Sequence, residues 1–376
     1  MSFNLVICCD GTNNSLQRDL TNVALLSMVV DKTPGLQHVY YDAGVGVDAA
    51  PGLVTRIGAT ISRWSGLAFG TGLVANVSDA YREIVDHYQP GTRLYLFGFS
   101  RGAYTVRVLT GLLHRYGLLT VPHRDKVDDI VEQFQKLFPK EGSRDATDPV
   151  RRADYLRRTF SEAATRKRDL SVDCPVHFLG LWDTVSSLGW AYDPKTFPNT
   201  ADMPNARTIR HALAIDERRA KFRTNRVHAL NDQDLKEVWF AGVHADVGGG
   251  YPAAESGLAH VCLRWMLREA IAHDLRVDPS KLQQRGLDGP ATSLEEMADQ
   301  HESLSGAWWG LEYLRLPHRR QVDNEWVNEI IRYQGTGWRT IGSTDRVSRS
   351  LQRRAQRIPV KNVHCADVVT TVVWED

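Results

Sequence analysis

The pentapeptide Gly98-Phe99-Ser100-Arg101-Gly102 constrains the fold of this chain more than any other feature. A compact apolar run at 94–97 comes directly before it, and apolar residues recur at helical spacing from 106 to 113 after it. A strand, a sharp turn and a helix in this order place the serine hydroxyl at a strand tip, facing the helix N-terminus. Side chains at positions 98 and 102 would collide with neighbouring backbone, which explains both glycines. The pattern predicts Ser100 as a nucleophile with an exposed hydroxyl.

The rest of the chain repeats this alternation of strands and helices. Further strand-like runs lie at 5–9, 38–41, 176–182 and 237–243, and helical spacing of apolar residues marks 73–88 and 258–266. Strands that alternate with helices indicate a mainly parallel central sheet covered by helices on both faces. The predicted fold class is therefore α/β, of the α/β-hydrolase type.

The length of 376 residues fits a single α/β-hydrolase domain, 1–376, that carries an insertion. Nearly half of residues 124–169 are charged, against 24% of the whole chain, yet apolar residues keep a helical spacing there. We interpret 121–175 as a helical insertion and a candidate lid, the alternative being a solvated helical hairpin without a role. Beyond about residue 280 the pattern is weak, and 280–376 is predicted to be a C-terminal extension packed on the core.

A serine nucleophile needs a base, usually histidine, held by a carboxylate. In α/β-hydrolases the chain order is serine, acid, histidine. Asp183 follows the predicted strand at 176–182, and His244 follows the one at 237–243. The glycines at 248–250 make the backbone after His244 flexible and allow other groups to approach it closely.

Two other carboxylates compete with Asp183 for the role of acid. Asp216 also lies between Ser100 and His244, but the segment 215–219 has a helical, ion-paired pattern. Asp246 would break the usual order, and its expected role is to support the site through hydrogen bonds to the glycine loop.

An oxyanion hole needs backbone N–H donors. The sequence predicts the N–H of Arg101 as one donor and that of Gly11 or Thr12, in the turn at 10–14, as the other. Asp10 is expected to support this loop by accepting its amides. The competing interpretation is a phosphate or metal site that uses Asp10 directly, which would make the protein a metal-dependent phosphoesterase centred on Asp10 and Asp246.

Composition bounds the remaining choices. The formal charge of +1 favours neither nucleic acid nor an anionic membrane as partner. Five cysteines without a Cys-x-x-Cys pair indicate neither a disulfide framework nor a zinc site, and no metal or cofactor is expected. The N-terminus lacks the pattern of a secretory signal, so we expect synthesis in the cytoplasm, with export by a route that ignores signal peptides left open.

Several motifs together resemble one known family. They are Asp-Gly-Thr-Asn-Asn at 10–14, Tyr-Asp-Ala-Gly-Val-Gly at 41–46, Phe-Gly-Phe-Ser-Arg-Gly at 97–102, Leu-Trp-Asp-Thr-Val at 181–185, Ile-Asp-Glu-Arg-Arg at 215–219 and Val-His-Ala-Asp-Val-Gly-Gly-Gly-Tyr at 243–251. In these motifs the chain resembles the type VI secretion phospholipase effector (Tle-type) α/β-hydrolases.

The resemblance covers most of residues 1–320. It implies hydrolysis of lipid esters, with Ser100, Asp183 and His244 as the triad. The expected partner is therefore a small-molecule or lipid ester, with peripheral membrane contact where that ester lies in a membrane. The alternative of another class is a catalytically silent α/β-hydrolase scaffold that acts as a binding protein.

Overall fold

The computed structural model describes residues 2–11, 19–44, 69–137, 147–161, 175–185, 197, 200–219, 222–230, 232–306, 308–313, 316–322, 325–331, 337–362 and 373–375. The strands in these ranges are β1 (Asn4–Cys9), β2 (Gln37–Asp42), β3 (Arg93–Phe99), β4 (Val176–Trp182), β5 (Ala206–Ala214), β6 (Asp234–Phe240), β7 (Leu316–Val322), β8 (Glu325–Ile331), β9 (Arg346–Ser348) and β10 (Val373–Glu375). The helices are α1 (Asn22–Val29), α2 (Phe69–His87), α3 (Arg101–Tyr116), α4 (Val127–Gln135), α5 (Thr147–Phe160), α6 (His244–Gly248), α7 (Gly257–Ala272), α8 (Pro279–Gln284), α9 (Ser293–Glu296), α10 (Trp308–Glu312) and α11 (Arg349–Ala355).

Eight strands form one sheet in the order β2-β1-β3-β4-β5-β6-β9-β10. Every neighbouring pair in this sheet is parallel, whereas β7 and β8 form a separate antiparallel pair. All six residues of β1 are buried, as expected for a parallel strand covered on both faces. The predicted mainly parallel sheet flanked by helices is confirmed.

Two apolar cores lie on the two faces of the sheet. Helices α2 and α3 pack on one face, and α4 and α5 pack on these two helices. Val77, Leu109 and Ile130 join the core on this side. Helices α1 and α7 pack on the other, where Leu26 and Met266 do the same. None of the helices in the described part of the chain combines the length and apolar character that a membrane span requires.

The strand order reverses between β1 and β3. From β1 the chain first adds β2 on one side and then crosses to the other side, where it adds β3 to β6, so the loops after β1 and β3 diverge at the carboxyl edge of the sheet. Such a switch point leaves a crevice, which is where open α/β sheets bind ligands. Cys9, the last residue of β1, lies opposite Gly98 of β3, so the Asp10 loop and the Ser100 turn meet there.

Four of the predicted strands, at 5–9, 38–41, 94–97 and 176–182, occur within two residues of their expected bounds. Two other predictions were wrong. The strand predicted at 237–243 runs instead from Asp234 to Phe240, because the chain turns at Gly242, whose φ is +101°. The segment 215–219 is irregular rather than helical. Strand β5 was missed because charged residues interrupt its apolar pattern. Two of these, Arg210 and His211, are buried through pairs with Glu269 and Glu237.

The described part of 121–175 contains helices, and its interpretation as an insertion stays a prediction. A 3₁₀ turn at Val121–Lys126 leads into α4, whose buried side chains Val127, Ile130, Val131 and Phe134 belong to the same core as α2 and α3. The helices therefore pack on the sheet domain, and the role of a lid stays a prediction. In the C-terminal part, β9 pairs with β6 and β10 pairs with β9, so both strands extend the main sheet.

Candidate active site

Ser100 occupies the strained turn that the sequence predicts between β3 and α3. Its φ is +57°, a conformation that costs energy in a residue with a side chain. Its N–H donates to Trp182 O at 3.0 Å, and its carbonyl accepts from Val185 N at 3.3 Å, so β4 and the loop after it hold the turn. The predicted exposure of the hydroxyl was wrong: Ser100 is 0% exposed, and His244 Nε2 lies at hydrogen-bond distance from its Oγ.

The two glycines around Ser100 are explained by close backbone approaches. A Cβ on Gly98 would lie 2.5 Å from Gly102 O. A Cβ on Gly102 would lie 2.5 Å from Asp10 O and closer still to Cys9 O. Helix α3 can therefore begin against the end of β1 only because position 102 has no side chain.

The structure brings Ser100, His244 and Asp183 into one hydrogen-bonded row. His244 Nε2 lies 2.8 Å from Ser100 Oγ, and His244 Nδ1 lies 2.6 Å from Asp183 Oδ2. Asp183 directly follows β4 with φ +38°, and its N–H donates to Ala212 O of β5 at 2.8 Å. Ser100 and Asp183, which follow β3 and β4, thus lie next to His244, which follows β6.

His244 is the first residue of the short helix α6 rather than the end of a strand. Its N–H donates to Glu217 Oε2 at 3.2 Å, and its ring packs against Phe99 and Phe222 at centroid distances of 4.7 and 4.9 Å. The glycines that follow provide close packing. A side chain on Gly248 would collide with the Phe99 ring, and Gly249 has φ +83°. The predicted close approach is confirmed.

Electrostatics favour an ionised Asp183 beside a neutral His244. Burial alone would raise the pKa of Asp183, but Arg339 and His244 outweigh it and hold that pKa well below its usual range. Burial lowers the pKa of His244 below its ordinary value, although the bond to Asp183 acts in the opposite direction. A neutral imidazole held by a carboxylate can accept a proton from Ser100 Oγ.

Arg339 is a site residue that the sequence reasoning missed. Its Nη1 donates to Asp183 Oδ1 at 2.5 Å and its Nη2 to Asp183 Oδ2 at 3.0 Å. The side chain comes from the irregular segment before β9, 156 positions along the chain from Asp183. No motif or periodic pattern surrounds it, so the local sequence carries no signal for this contact.

Glu217 was also missed as part of the site. It is fully buried, and its carboxylate accepts from His244 N, from the Arg219 guanidinium and from Ser303 Oγ. Burial would raise its pKa, but Arg219 outweighs burial and lowers it to about 2. Arg219 is thus paired with a carboxylate next to His244, and the predicted ion pairing of this segment is confirmed although its helical form is not.

Asp216 and Asp246 hold backbone around the site. Asp216 accepts from Gly242 N at 2.8 Å and Asn362 N at 3.1 Å, and burial raises its pKa to about 6. Asp246 accepts from Val243 N at 3.0 Å and from His301. The expected bond of Asp246 to the glycine loop is wrong in detail, because its carboxylate turns back to the residue before His244.

The predicted oxyanion donors divide into three cases. The N–H of Arg101 lies in the first turn of α3, beside Ser100, where helical N–H groups point towards the site. The Gly11 N–H donates to Asp10 Oδ1 at 2.7 Å, so its use by a substrate would require that bond to be exchanged. Thr12 lies outside the described residues. The oxyanion roles of all three stay predictions.

Asp10 is buried and acts within its own loop, as expected. Besides the Gly11 amide, it accepts from Tyr41 Oη at 2.9 Å and from Thr21 Oγ1. Both of its oxygens are therefore engaged, and the phosphoesterase alternative would require those bonds to be given up.

A cluster of three metal-ligating side chains lies away from this site, and neither Asp10 nor Asp246 belongs to it. In the described ranges, His38, Glu83 and His87 bring their ligand atoms within 4.8 Å of one another. The two imidazole rings are stacked 3.9 Å apart at an angle of 11°. Lone pairs in parallel ring planes do not converge on one ion, and His38 Nε2 lies at hydrogen-bond distance, 2.6 Å, from Glu83 Oε1. We interpret the cluster as a hydrogen-bonded pair, His38 and Glu83, with a second imidazole ring stacked on it.

Comparison with known proteins shows what the chain is similar to. A protein of Saccharomyces cerevisiae, "Uncharacterized protein YEL023C", is 30% identical over 228 residues, which are 58% of this chain and 32% of that protein. A crystal structure of an uncharacterized protein from Pseudomonas aeruginosa shares 19% identity with a TM-score of 0.44, over 78% of this chain and 49% of that one. A structure of the Tle1 effector bound to the VgrG spike of the type 6 secretion system shares 19% identity with a TM-score of 0.34, over 68% of this chain and 52% of that one.

This chain therefore spans about a third of the curated relative and about half of each solved chain. A family model, in contrast, matches most of this chain. The model described as "T6SS, Phospholipase effector Tle1-like, catalytic domain" matches residues 4–269, which include Ser100, Asp183 and His244. The chain belongs to the Tle1-like phospholipase effector family of type VI secretion.

Proposed function

We propose that this protein is a serine hydrolase that cleaves carboxylic esters of lipids, phospholipids foremost. The observation that carries the proposal is the row Ser100 Oγ–His244 Nε2–Asp183, with hydrogen-bond distances of 2.8 and 2.6 Å. The phospholipase family supports a lipid ester as the substrate class.

The proposed reaction is acyl transfer in two steps. Ser100 Oγ attacks the ester carbonyl carbon while His244 Nε2 takes its proton, and Asp183 stabilises the imidazolium that forms. The Arg101 N–H stabilises the negative oxygen, and His244 returns the proton to the leaving alcohol. Water, deprotonated by His244, then attacks the acyl-enzyme and releases the acid and free Ser100.

A panel of lipid esters assayed with wild type and Ser100→Ala tests the proposal. Ser27→Ala is a matched control, because Ser27 is also buried but its hydroxyl bonds to Ala24 O of its own helix, α1. We expect Ser100→Ala to lose at least about 10³-fold in kcat and Ser27→Ala to retain the wild-type rate. Retained hydrolysis in Ser100→Ala would refute the mechanism.

The alternatives predict other outcomes in the same assay. A silent scaffold predicts that folded wild type hydrolyses no ester of the panel and binds no serine-directed inhibitor. A metal-dependent phosphoesterase would lose its activity when a chelator is added and would keep its activity in the presence of the serine-directed inhibitor.

We further propose that the peripheral membrane contact involves the end of α10. Trp309 lies in α10, and Tyr313 directly follows its last residue. The two residues are 37% and 58% exposed and lie four positions apart. Their neighbour Trp308 contacts Phe222, which contacts His244, so the aromatic surface adjoins the site. Amphipathic aromatic rings favour the headgroup region of membranes.

Vesicle co-sedimentation tests this contact. The double variant Trp309→Ala with Tyr313→Ala should bind phospholipid vesicles several-fold more weakly than wild type. Tyr155→Ala, which removes a 63% exposed ring from the insertion, is the control and should bind like wild type. Equal binding by all three proteins would exclude this surface.

A further inference from the structure

A buried arginine from the C-terminal part of the chain contacts both oxygens of Asp183. Arg339 Nη1 lies 2.5 Å from Oδ1 and Nη2 lies 3.0 Å from Oδ2, with the side chain 5% exposed. Asp183 Oδ1 also accepts from Ala214 N, and Oδ2 also meets His244 Nδ1. Four partners therefore fix the carboxylate, and the guanidinium provides two of them.

The guanidinium itself is held by the backbone of the sheet domain. Nη1 donates to Ala214 O at 2.7 Å and Nη2 to Phe222 O at 2.6 Å. The carbonyl of Arg339 accepts from Asn362 Nδ2, which also donates to Ile215 O. The residues around 339 and 362 are thus anchored to the end of β5, and Arg339 has a fixed place relative to Asp183.

We propose that Arg339 is a positioning residue for hydrolysis, which holds Asp183 in contact with His244 and balances the negative charge of Asp183 beside the imidazole. The inference rests on the proposed function, since it assigns a role within that reaction. Arg339 also lies outside the residues that the family model matches, which end at residue 269.

The charges that face His244 show why Arg339 matters for its protonation. From β4 comes Asp183, and from the segment after β5 come Glu217 and Arg219. Each carboxylate has one arginine, Glu217 with Arg219 and Asp183 with Arg339. Without Arg339, the negative charge of Asp183 would be unbalanced next to the imidazole, and an unbalanced negative charge at this distance favours imidazolium. The pKa of His244 would then rise.

The geometry of the contact matters separately from its charge. A guanidinium offers two parallel N–H donors to a carboxylate, whereas a lysine ammonium acts as a point charge. Arg339→Lys therefore keeps the charge and loses the paired geometry, and Arg339→Met loses both. These two variants separate the two parts of the proposal.

Arg354→Met is a matched control. Arg354 comes from the same C-terminal part, is 5% exposed like Arg339, and donates to two carbonyls, Glu296 O and Ala298 O. It contacts none of Ser100, Asp183 and His244 by these bonds. The Arg354→Met variant therefore shows how far the removal of a buried arginine alone affects the fold.

The test measures kcat, KM and the acidic midpoint of kcat/KM against pH for the three variants and wild type. For Arg339→Met we expect a midpoint about one pH unit higher, a kcat at least about 10-fold lower and a nearly unchanged KM. For Arg339→Lys we expect a reduced kcat with the wild-type midpoint. Arg354→Met should keep the wild-type midpoint whatever its stability.

The proposal is overturned if Arg339→Met keeps the wild-type midpoint, or if Arg339→Lys has full kcat. Should Arg339→Met not fold, Arg339→Gln replaces it with the same expected midpoint. Titration of the His244 ring by NMR, assigned with His244→Gln, follows the same pKa without turnover. If wild type hydrolyses no ester, the proposed function fails, whereas the NMR titration still decides whether Arg339 sets the protonation of His244.

Discussion

Gly102→Ala tests whether the contact between β1 and α3 builds the site. The added Cβ would lie 2.5 Å from Asp10 O and closer to Cys9 O, whereas ordinary contacts begin at 3.4 Å. Both neighbours are backbone atoms of β1 and its loop, so α3 must move away from β1 by about 1 Å or more. Overpacking of this kind costs about 1–3 kcal/mol of unfolding free energy.

The same movement carries the Ser100 turn and the Arg101 N–H with it. A misplacement of about 1 Å in an active site can lower the rate by about 10²-fold, so we expect a kcat loss of that order. Urea unfolding gives the stability and an ester assay gives kcat.

Gly310→Ala is the control for this experiment, because no atom lies within 4 Å of its added Cβ and the residue is helical. It should leave kcat unchanged and raise stability by about 0.5–1 kcal/mol, the usual gain from glycine to alanine in a helix. A Gly102→Ala protein with wild-type stability and kcat would refute the reasoning.

Three further predictions follow from the charges at the site. Asp183→Asn should lower kcat by about 10⁴-fold, because it removes the carboxylate that orients His244. The same variant should lose about 3 kcal/mol of unfolding free energy, because the Arg339 guanidinium is then buried beside a neutral group. A kcat within 10-fold of the wild-type value would contradict this prediction. Asp216→Asn should leave the acidic midpoint of kcat/KM unchanged, since Asp216 binds backbone amides; a shift there would assign it a part in the chemistry. In wild type that midpoint should lie below about 6.5, because burial lowers the pKa of His244 and activity needs the neutral ring, so the rate rises with pH through that midpoint; a midpoint above 7 would contradict the lowered pKa of His244.

The sequence predicted those parts of the fold in which burial and apolar pattern agree. Strands β1, β3 and β4 are mostly apolar because both faces of a parallel sheet are covered. Strand β5 broke that rule, since Arg210 and His211 are buried as partners of acidic side chains. Such pairing is decided by tertiary contacts and leaves no periodic signal in the sequence.

The candidate site divides in the same way. Ser100, Asp183 and His244 were predicted because each follows a recognisable strand or turn, and the structure joins them by hydrogen bonds. Glu217 and Arg339 were not predicted, because their roles depend on contacts between segments far apart in the chain. The same reason explains the buried hydroxyl of Ser100, which a local pattern of strand, turn and helix does not determine.

The central claim is that Ser100 is a nucleophile activated by His244. Intact-mass and peptide mass spectrometry of protein treated with a fluorophosphonate tests this claim directly, because the reagent bonds covalently to an activated serine. We predict one adduct per chain, located on Ser100, and a labelling rate at least about 10³-fold lower in His244→Gln. A folded wild-type protein that forms no adduct, or forms it on another residue, would contradict the account.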